Sequence, residues 1–218
     1  MATAVKGRQP DTGRRGQART RLARRAVVET ARSLFLERGY AATTIDAISD
    51  RSDVPPATVY RLFPGKLGIL TAVLDASIAG DEGLAPQDRP EVADLLAESD
   101  PRKQLAGFAR INIAINTRSA DVYRILVSAA GSDAEAADLL AQYVRRRDAG
   151  QGQIAGLLAR EEALRPDLAE RDAADIIHAL MSPELYRLLV IERGWTPGHY
   201  EKWLAETLAA QLLAPPAR

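Results

Sequence analysis

The run from Thr43 to Lys66, TTIDAISDRSDVPPATVYRLFPGK, leaves its backbone few choices. Thr43 or Thr44 can cap a short helix, because a Thr hydroxyl accepts a hydrogen bond from a free backbone N–H at a helix start. Ile45 and Ile48 then sit three apart on one face. Asp53 stands where that helix must stop, and Asp tolerates the left-handed conformation of a tight turn. Val54 and Pro55 each precede a proline and are pushed out of helical geometry. Pro56 suits the first position of a new helix, where a missing N–H costs nothing. The spacing predicts a helix over Pro56 to Leu62 that buries Val59 and Phe63 and leaves Ala57, Thr58, Tyr60 and Arg61 more exposed. Pro64 and Gly65 end it. Two short helices joined by a tight turn describe a helix-turn-helix, which offers its second helix to a DNA major groove.

Around this core the spacing becomes specific. Leu34-Phe35, Gly39-Tyr40, Thr43-Thr44, Ile48, Thr58-Val59-Tyr60, Phe63 and Lys66 follow one another at fixed intervals. In that order they resemble the DNA-binding domain of the TetR family of bacterial regulators, over about residues 20–80. The chain departs from the family pattern at the turn (Ser52-Asp53), at the cap of the second helix (Pro55) and after the lysine (Leu67). The resemblance implies phosphate contacts from Thr44, Thr58, Tyr60 and Lys66. Pro56, Ala57 and Arg61 stand where base edges or thymine methyls are met. It further implies a homodimer on a pseudo-palindromic double-stranded operator. It also implies a small-molecule effector that changes the separation of the two recognition helices and releases the DNA.

The formal charge of the 218-residue chain is zero, but unevenly distributed. Residues 1–70 carry +7 and the remainder −7, which matches a basic nucleic-acid-binding end joined to an acidic partner domain. Residues 1–19 set Lys6, Arg8, Arg14, Arg15 and Arg19 among polar and small residues and are expected to be a disordered basic arm. A minor-groove arm and a plain solvated tail fit them equally. With no apolar segment behind these charges, a signal peptide is not expected.

Beyond the motif the pattern is helical throughout, so the fold class is all-α. A three-helix helix-turn-helix domain over 20–80 precedes a larger helical domain over 81–218 for ligand binding and dimerisation. Helices are expected over about 20–38, 66–79, 91–98, 101–117, 120–130, 134–162, 166–181, 183–193 and 197–213, with a loop from Gly80 to Pro90. Gly150, Gly152 and Gly156 interrupt a helix interior, by packing or by a kink. The helices from 101 to 181 could enclose an apolar pocket with a few polar groups. Its candidate lining is Phe108, Asn112, Asn116, Tyr123, Tyr143, His178 and Met181, although a lone His such as His178 is more often a hydrogen-bonded core residue than a ligand contact. From Leu185 to Ile191 only Arg187 breaks the apolar run, and a helix apolar all round has to be covered on all sides. Leu185, Leu188 and Leu189, with Trp203, Leu204, Leu208 and Leu212 of the last helix, are therefore expected to form half of a four-helix dimer interface.

Catalysis finds little support. The chain has no Cys, two His and no Gly-rich phosphate loop, and neither His has metal-ligand spacing. No catalytic residue, metal or cofactor is expected. A helical binding protein or enzyme with a merely structural helix-turn-helix is the alternative. Absence of thiols fits a reducing cytoplasm, and no apolar run reaches membrane-span length.

Overall fold

A computed structural model describes residues 12–80, 84 and 88–214. The expected disordered arm falls partly outside them; from Thr12 onward the chain is already helical. Most of the Gly80–Pro90 loop also lies outside the described residues.

Among the described residues ten α-helices follow in order: α1 Thr12–Ala42, α2 Ile45–Ser52, α3 Pro56–Leu62, α4 Gly65–Ala79, α5 Pro90–Leu96, α6 Pro101–Ala130, α7 Ala134–Arg160, α8 Glu170–Leu180, α9 Pro183–Tyr186 and α10 Pro197–Leu212. Among the described residues the only extended pairing is one isolated bridge, Leu164 to Leu213. The fold is all-α.

α1 bends at Gly39, whose φ of 78° only glycine adopts at little cost. The bend swings Tyr40 under the helix end, against Phe35, with ring centroids 5.8 Å apart. Thr43 is fully buried, and its hydroxyl donates to Gly39 O at 2.8 Å and Leu34 O at 3.3 Å, closing the end of α1. Val27, Ala31, Leu34 and Phe35 of α1 meet Ile48, Val59, Phe63 and the Ile69–Leu74 stretch of α4 in one core. That core continues onto Val122, Ile125 and Leu126 of α6, so packing carries on across the boundary expected at residue 80. A second core joins α6, the end of α7, α8 and α10 around Tyr200.

Besides the longer α1 and the slightly shifted α5, four element boundaries differ from expectation for a local reason. α6 is one 30-residue helix, not two. Thr117 and Ser119 do not break it, because their hydroxyls donate back to Ile113 O and Ile115 O within the helix. α7 stops at Arg160 rather than 162, where Glu162 takes φ 54°. α8 starts at Glu170 and not Pro166, because Arg165 donates its N–H to Leu212 O at 2.9 Å and holds this stretch extended beside the end of α10. After α9 the chain widens into a π-helical segment, Arg187–Glu192, ending at Gly194. The α7 glycines leave the helix continuous. A Cβ on Gly156 would come within 3.1 Å of Glu170 Oε1, so the start of α8 passes close there.

The expected interface residues separate. Leu204, Leu208 and Leu212 are fully buried inside the protomer's own second core, so they cannot form a surface between protomers. Spacing by four puts them on one stripe of α10, but that stripe faces the protomer's interior. Leu185, Leu189 and Trp203 are partly buried against the same core, while Leu188 and Ile191 are about half exposed. No single helix among the described residues is long and apolar enough to cross a membrane.

Candidate nucleic-acid interface and ligand cavity

The α2–turn–α3 unit is held by local bonds. Thr44 caps α2 by accepting from Ala47 N at 3.1 Å. Asp53 ends α2 in the left-handed region, φ 54° and ψ 33°. The buried hydroxyl of Ser49 donates to Val54 O at 2.7 Å and fixes the turn. Pro55 and Pro56 then set α3 without a side-chain cap. Val59 and Phe63 anchor it inward. At its far end the Arg24 guanidinium donates to Leu62 O at 3.1 Å and lies 4.6 Å from the Phe63 ring centre. Arg51 of α2 makes two bonds to Glu37 of α1, at 2.7 and 2.9 Å, and this pairing holds the Glu37 carboxyl below its ordinary value.

This frame leaves a face outward. Ala57, Tyr60 and Arg61 are exposed at the i, i+3, i+4 positions of α3, with Pro56 beside them and Thr58 half-buried. Tyr60 retains 59% exposure although it is a large aromatic residue. Thr44 is exposed at the start of α2, where its oxygen accepts from the backbone and its O–H can donate elsewhere. Lys66 differs from its expected outward role. Its ammonium donates to Tyr40 O at 2.8 Å and to Ala41 O at 3.4 Å, and sits 4.3 Å from the Tyr40 ring centre. Burial lowers its pKa. Two of its three N–H groups close the end of α1, which leaves one for any outside acceptor.

The second feature is a cavity of about 620 Å³ between α4, α5, α6 and α7, reaching Met181 and Pro183 at its end. Leu74, Ile78, Phe108, Ile111, Ile115 and Ile154 supply much of its apolar wall. α5 closes one side, and its Leu95 is seated so tightly on Gly107 that a Cβ there would come within 2.1 Å. Of the expected lining residues, Phe108, Asn112, Asn116, Tyr123, Tyr143 and Met181 are all brought together here. Asn116 donates to Asn112 Oδ1 at 3.0 Å and Asn112 to Met181 O at 2.9 Å, so this buried pair is tied in a chain. The Tyr143 hydroxyl donates to the Asp75 carboxylate of α4; burial, then this contact, raises the phenol's pKa.

His178 does not line the cavity. It stands one bond behind the wall, where Arg147 Nη2 donates to its Nε2 at 2.7 Å. A guanidinium only donates, so Nε2 carries the lone pair and Nδ1 the proton. Burial, then the Arg147 charge, holds the imidazole below its ordinary value of 6.5. The folded protein therefore takes up this proton less readily than the unfolded chain. Stability from the group is complete above about pH 7 and is lost as pH falls below that ordinary value. His178→Gln, which keeps an acceptor for Arg147, is expected to flatten the loss of thermal stability between about pH 7 and pH 5. Melting temperatures across that range check this; an unchanged slope counts against it.

Asp75, Arg147 and Gln151 also line the cavity, and sequence reasoning missed them. A signal existed: Tyr143, Arg147, Gly150 and Ile154 recur at i, i+4, i+7, i+11 on one stripe of α7. Arg147 was hidden in the run Arg145-Arg146-Arg147, which reads as a solvated face. No cluster able to hold a metal occurs among the described residues.

Comparison with known proteins agrees with this arrangement. Residues 27–73 match the family model described as bacterial regulatory proteins, tetR family. The uncharacterized HTH-type transcriptional regulator YdeS of Bacillus subtilis is 28% identical over 184 residues, 81% of this chain and 83% of that protein. Among solved structures, NalD of Pseudomonas aeruginosa, the secondary repressor of the MexAB-OprM multidrug efflux pump, superposes with a TM-score of 0.68. It is 23% identical and covers 89% of this chain and 98% of its own. FadR from Bacillus subtilis, in complex with stearoyl-CoA, superposes at 0.67 with 14% identity, covering 84% of this chain and 96% of its own. The helix-turn-helix with its outward α3 face, the matched segment and the curated relative point the same way: residues 27–73 form a DNA-binding domain of the tetR-family type, and the whole chain is similar to HTH-type transcriptional regulators.

Proposed function

We propose that the protein is a ligand-responsive repressor that binds a pseudo-palindromic operator as a homodimer and leaves it when a small molecule fills the cavity. The observation that carries this reading is the course of α4. It begins at Gly65, directly after the reading helix, and its last two turns supply Leu74, Asp75, Ile78 and Ala79 to the cavity wall. Its end is gripped from the other side. Arg118 of α6 donates to Ser77 O at 3.1 Å, and the buried Arg89 to Ile78 O at 2.9 Å and Ala79 O at 3.1 Å. A molecule that moves the cavity wall thus moves the base of α3. Such a molecule favours release only to the extent that it binds the DNA-incompetent arrangement more tightly. That NalD is named a repressor and FadR was solved with stearoyl-CoA supports both halves of the reading.

On DNA, Thr44, Thr58 and Tyr60 contact phosphates and fix the register, and Pro56, Ala57 and Arg61 approach base edges. Lys66 mainly holds the end of α1 and adds its remaining N–H. Leu185, Leu188, Leu189 and Trp203, with Ile191, border the surface between protomers. Mobility-shift titration on the protein's own upstream region tests the reading. Retardation that weakens steeply with salt is expected; no retardation at low salt without effector overturns it. Tyr60→Ala is expected to weaken binding about tenfold with unchanged dimerisation, because the ring is exposed and supports no core. Wild-type affinity would remove Tyr60 from the contact set.

A further inference from the structure

The cavity's polar groups are unevenly satisfied. Asn112, Asn116, Ser119 and Tyr143 all donate within the protein. Two neighbours on α7 do not have their full complement. Arg147 Nε and Nη1 are buried without a hydrogen-bond acceptor, and so is Gln151 Oε1 without a donor. Gln151 is itself only 7% exposed. The two residues are four apart, on one face of the helix. Between them Gly150 also lines the cavity and has open space where a Cβ would stand. Buried polar groups in folded proteins nearly always have partners, and leaving one bare costs about 1–3 kcal/mol. The bare Arg147 N–H groups call for an acceptor, and the Gln151 amide, whose oxygen and nitrogen exchange places by a half-turn, offers its Nε2 to the same acceptor.

The charge at that place is positive. Among the described residues, Arg146 and Arg147 line the cavity against a single lining carboxylate, Asp75, which already accepts from Tyr143. The nearest carboxylate to Arg147 is Glu184, at 3.6 Å from Nη1, too long for a hydrogen bond; it is 59% exposed and outside the lining. A guanidinium with two N–H groups to spare recognises a planar anion best. Apart from Asn112, Asn116, Ser119 and Gln153, the rest of the wall, with Leu74, Ile78, Phe108, Ile111, Ile115 and Ile154 prominent, is aliphatic or aromatic.

We infer that the cavity takes an amphipathic anion, its carboxylate or similar head group at Arg147 beside Gln151 and its apolar body against α4, α5 and α6. This inference rests on the ligand-responsive reading above and names the chemical class of its effector. Arg147 also holds His178, so the group that binds the head is tied to α8 behind the cavity wall.

The test uses the full-length dimer and three probes with the same ten-carbon chain, below their micelle concentrations: decanoate, decanol and decyltrimethylammonium. Titration calorimetry is expected to give decanoate a Kd about tenfold or more below the other two. In Arg147→Met that preference should vanish while decanol binding stays the same. Arg147→Lys should keep much of the preference for the anion over the cation. Gln151→Glu, which places a like charge beside the head group, should weaken decanoate alone and serves if Arg147→Met fails to fold. Equal or tighter binding of the cation overturns the inference, as does a decanoate preference that survives Arg147→Met, or no binding of any probe to the folded protein. The two readings fail separately. Decanoate that binds through Arg147 without releasing DNA supports the anion site and sinks the regulatory reading. A cationic amphiphile that binds more tightly and releases DNA sinks the anion site and supports the regulatory reading.

Discussion

A protein carrying Leu188→Asp together with Ile191→Asp is expected to run as a monomer and to lose operator binding. These two side chains are 46% and 52% exposed, three apart on the segment after α9. The opposite side of that region is committed: Tyr186 is buried edge-on against Tyr200, and its hydroxyl is 2.9 Å from Thr117 Oγ1. Leu188 and Ile191 thus form the part of the apolar run that the protomer leaves uncovered, which suits a partner surface. A twofold contact would bring four new carboxylates together and bury some of them unpaired. That is expected to weaken association by on the order of a hundredfold or more. Sedimentation velocity reads the change, and a mobility shift reads its consequence, because the proposed pseudo-palindromic operator needs both α3 helices. Unchanged melting of the isolated protomer is expected, since neither side chain belongs to its core. A double variant that stays dimeric would place the interface elsewhere.

The second large effect runs the opposite way. Leu208→Ala is expected to cost about 2–5 kcal/mol of stability and to leave the association of the remaining folded protein unchanged. Leu208 is fully buried with Leu204, Leu212 and Tyr200 in the core that α10 shares with α6 and α8. Removing its isobutyl group leaves a cavity that the surrounding helices fill only in part. Urea unfolding gives the loss, and sedimentation of the folded variant gives the oligomeric state. A near-neutral melt with weakened dimerisation would return Leu208 to the interface. The two experiments separate residues that share an apolar character but face opposite ways.

How much of this could be read beforehand depends on the range of the forces involved. The helix-turn-helix was legible because its determinants are neighbours in sequence. A threonine accepts from the N–H three residues on, an aspartate adopts a left-handed turn, and two prolines exclude continuation of the helix. Six of the seven expected cavity residues were also legible, as polar or aromatic interruptions of apolar helix faces. The remaining one, His178, was displaced by a single hydrogen bond from Arg147. Arg147 and Gln151 were missed because a charged helix position looks the same whether water or a cavity lies beyond it.

Sequence alone determined that the chain is helical, that residues 43–66 turn one short helix into another, and that Ala57, Tyr60 and Arg61 share a face. Each is set within a turn or two of backbone. Only the tertiary structure decided that Lys66 bends back to the Tyr40 and Ala41 carbonyls, that Leu204, Leu208 and Leu212 point inward, and that Arg147 stands at a cavity wall. A four-residue repeat fixes which residues lie together on a helix, but not which neighbour that stripe meets. That choice belongs to how the helices bury their apolar surface against one another, and the competition is settled only across the whole fold.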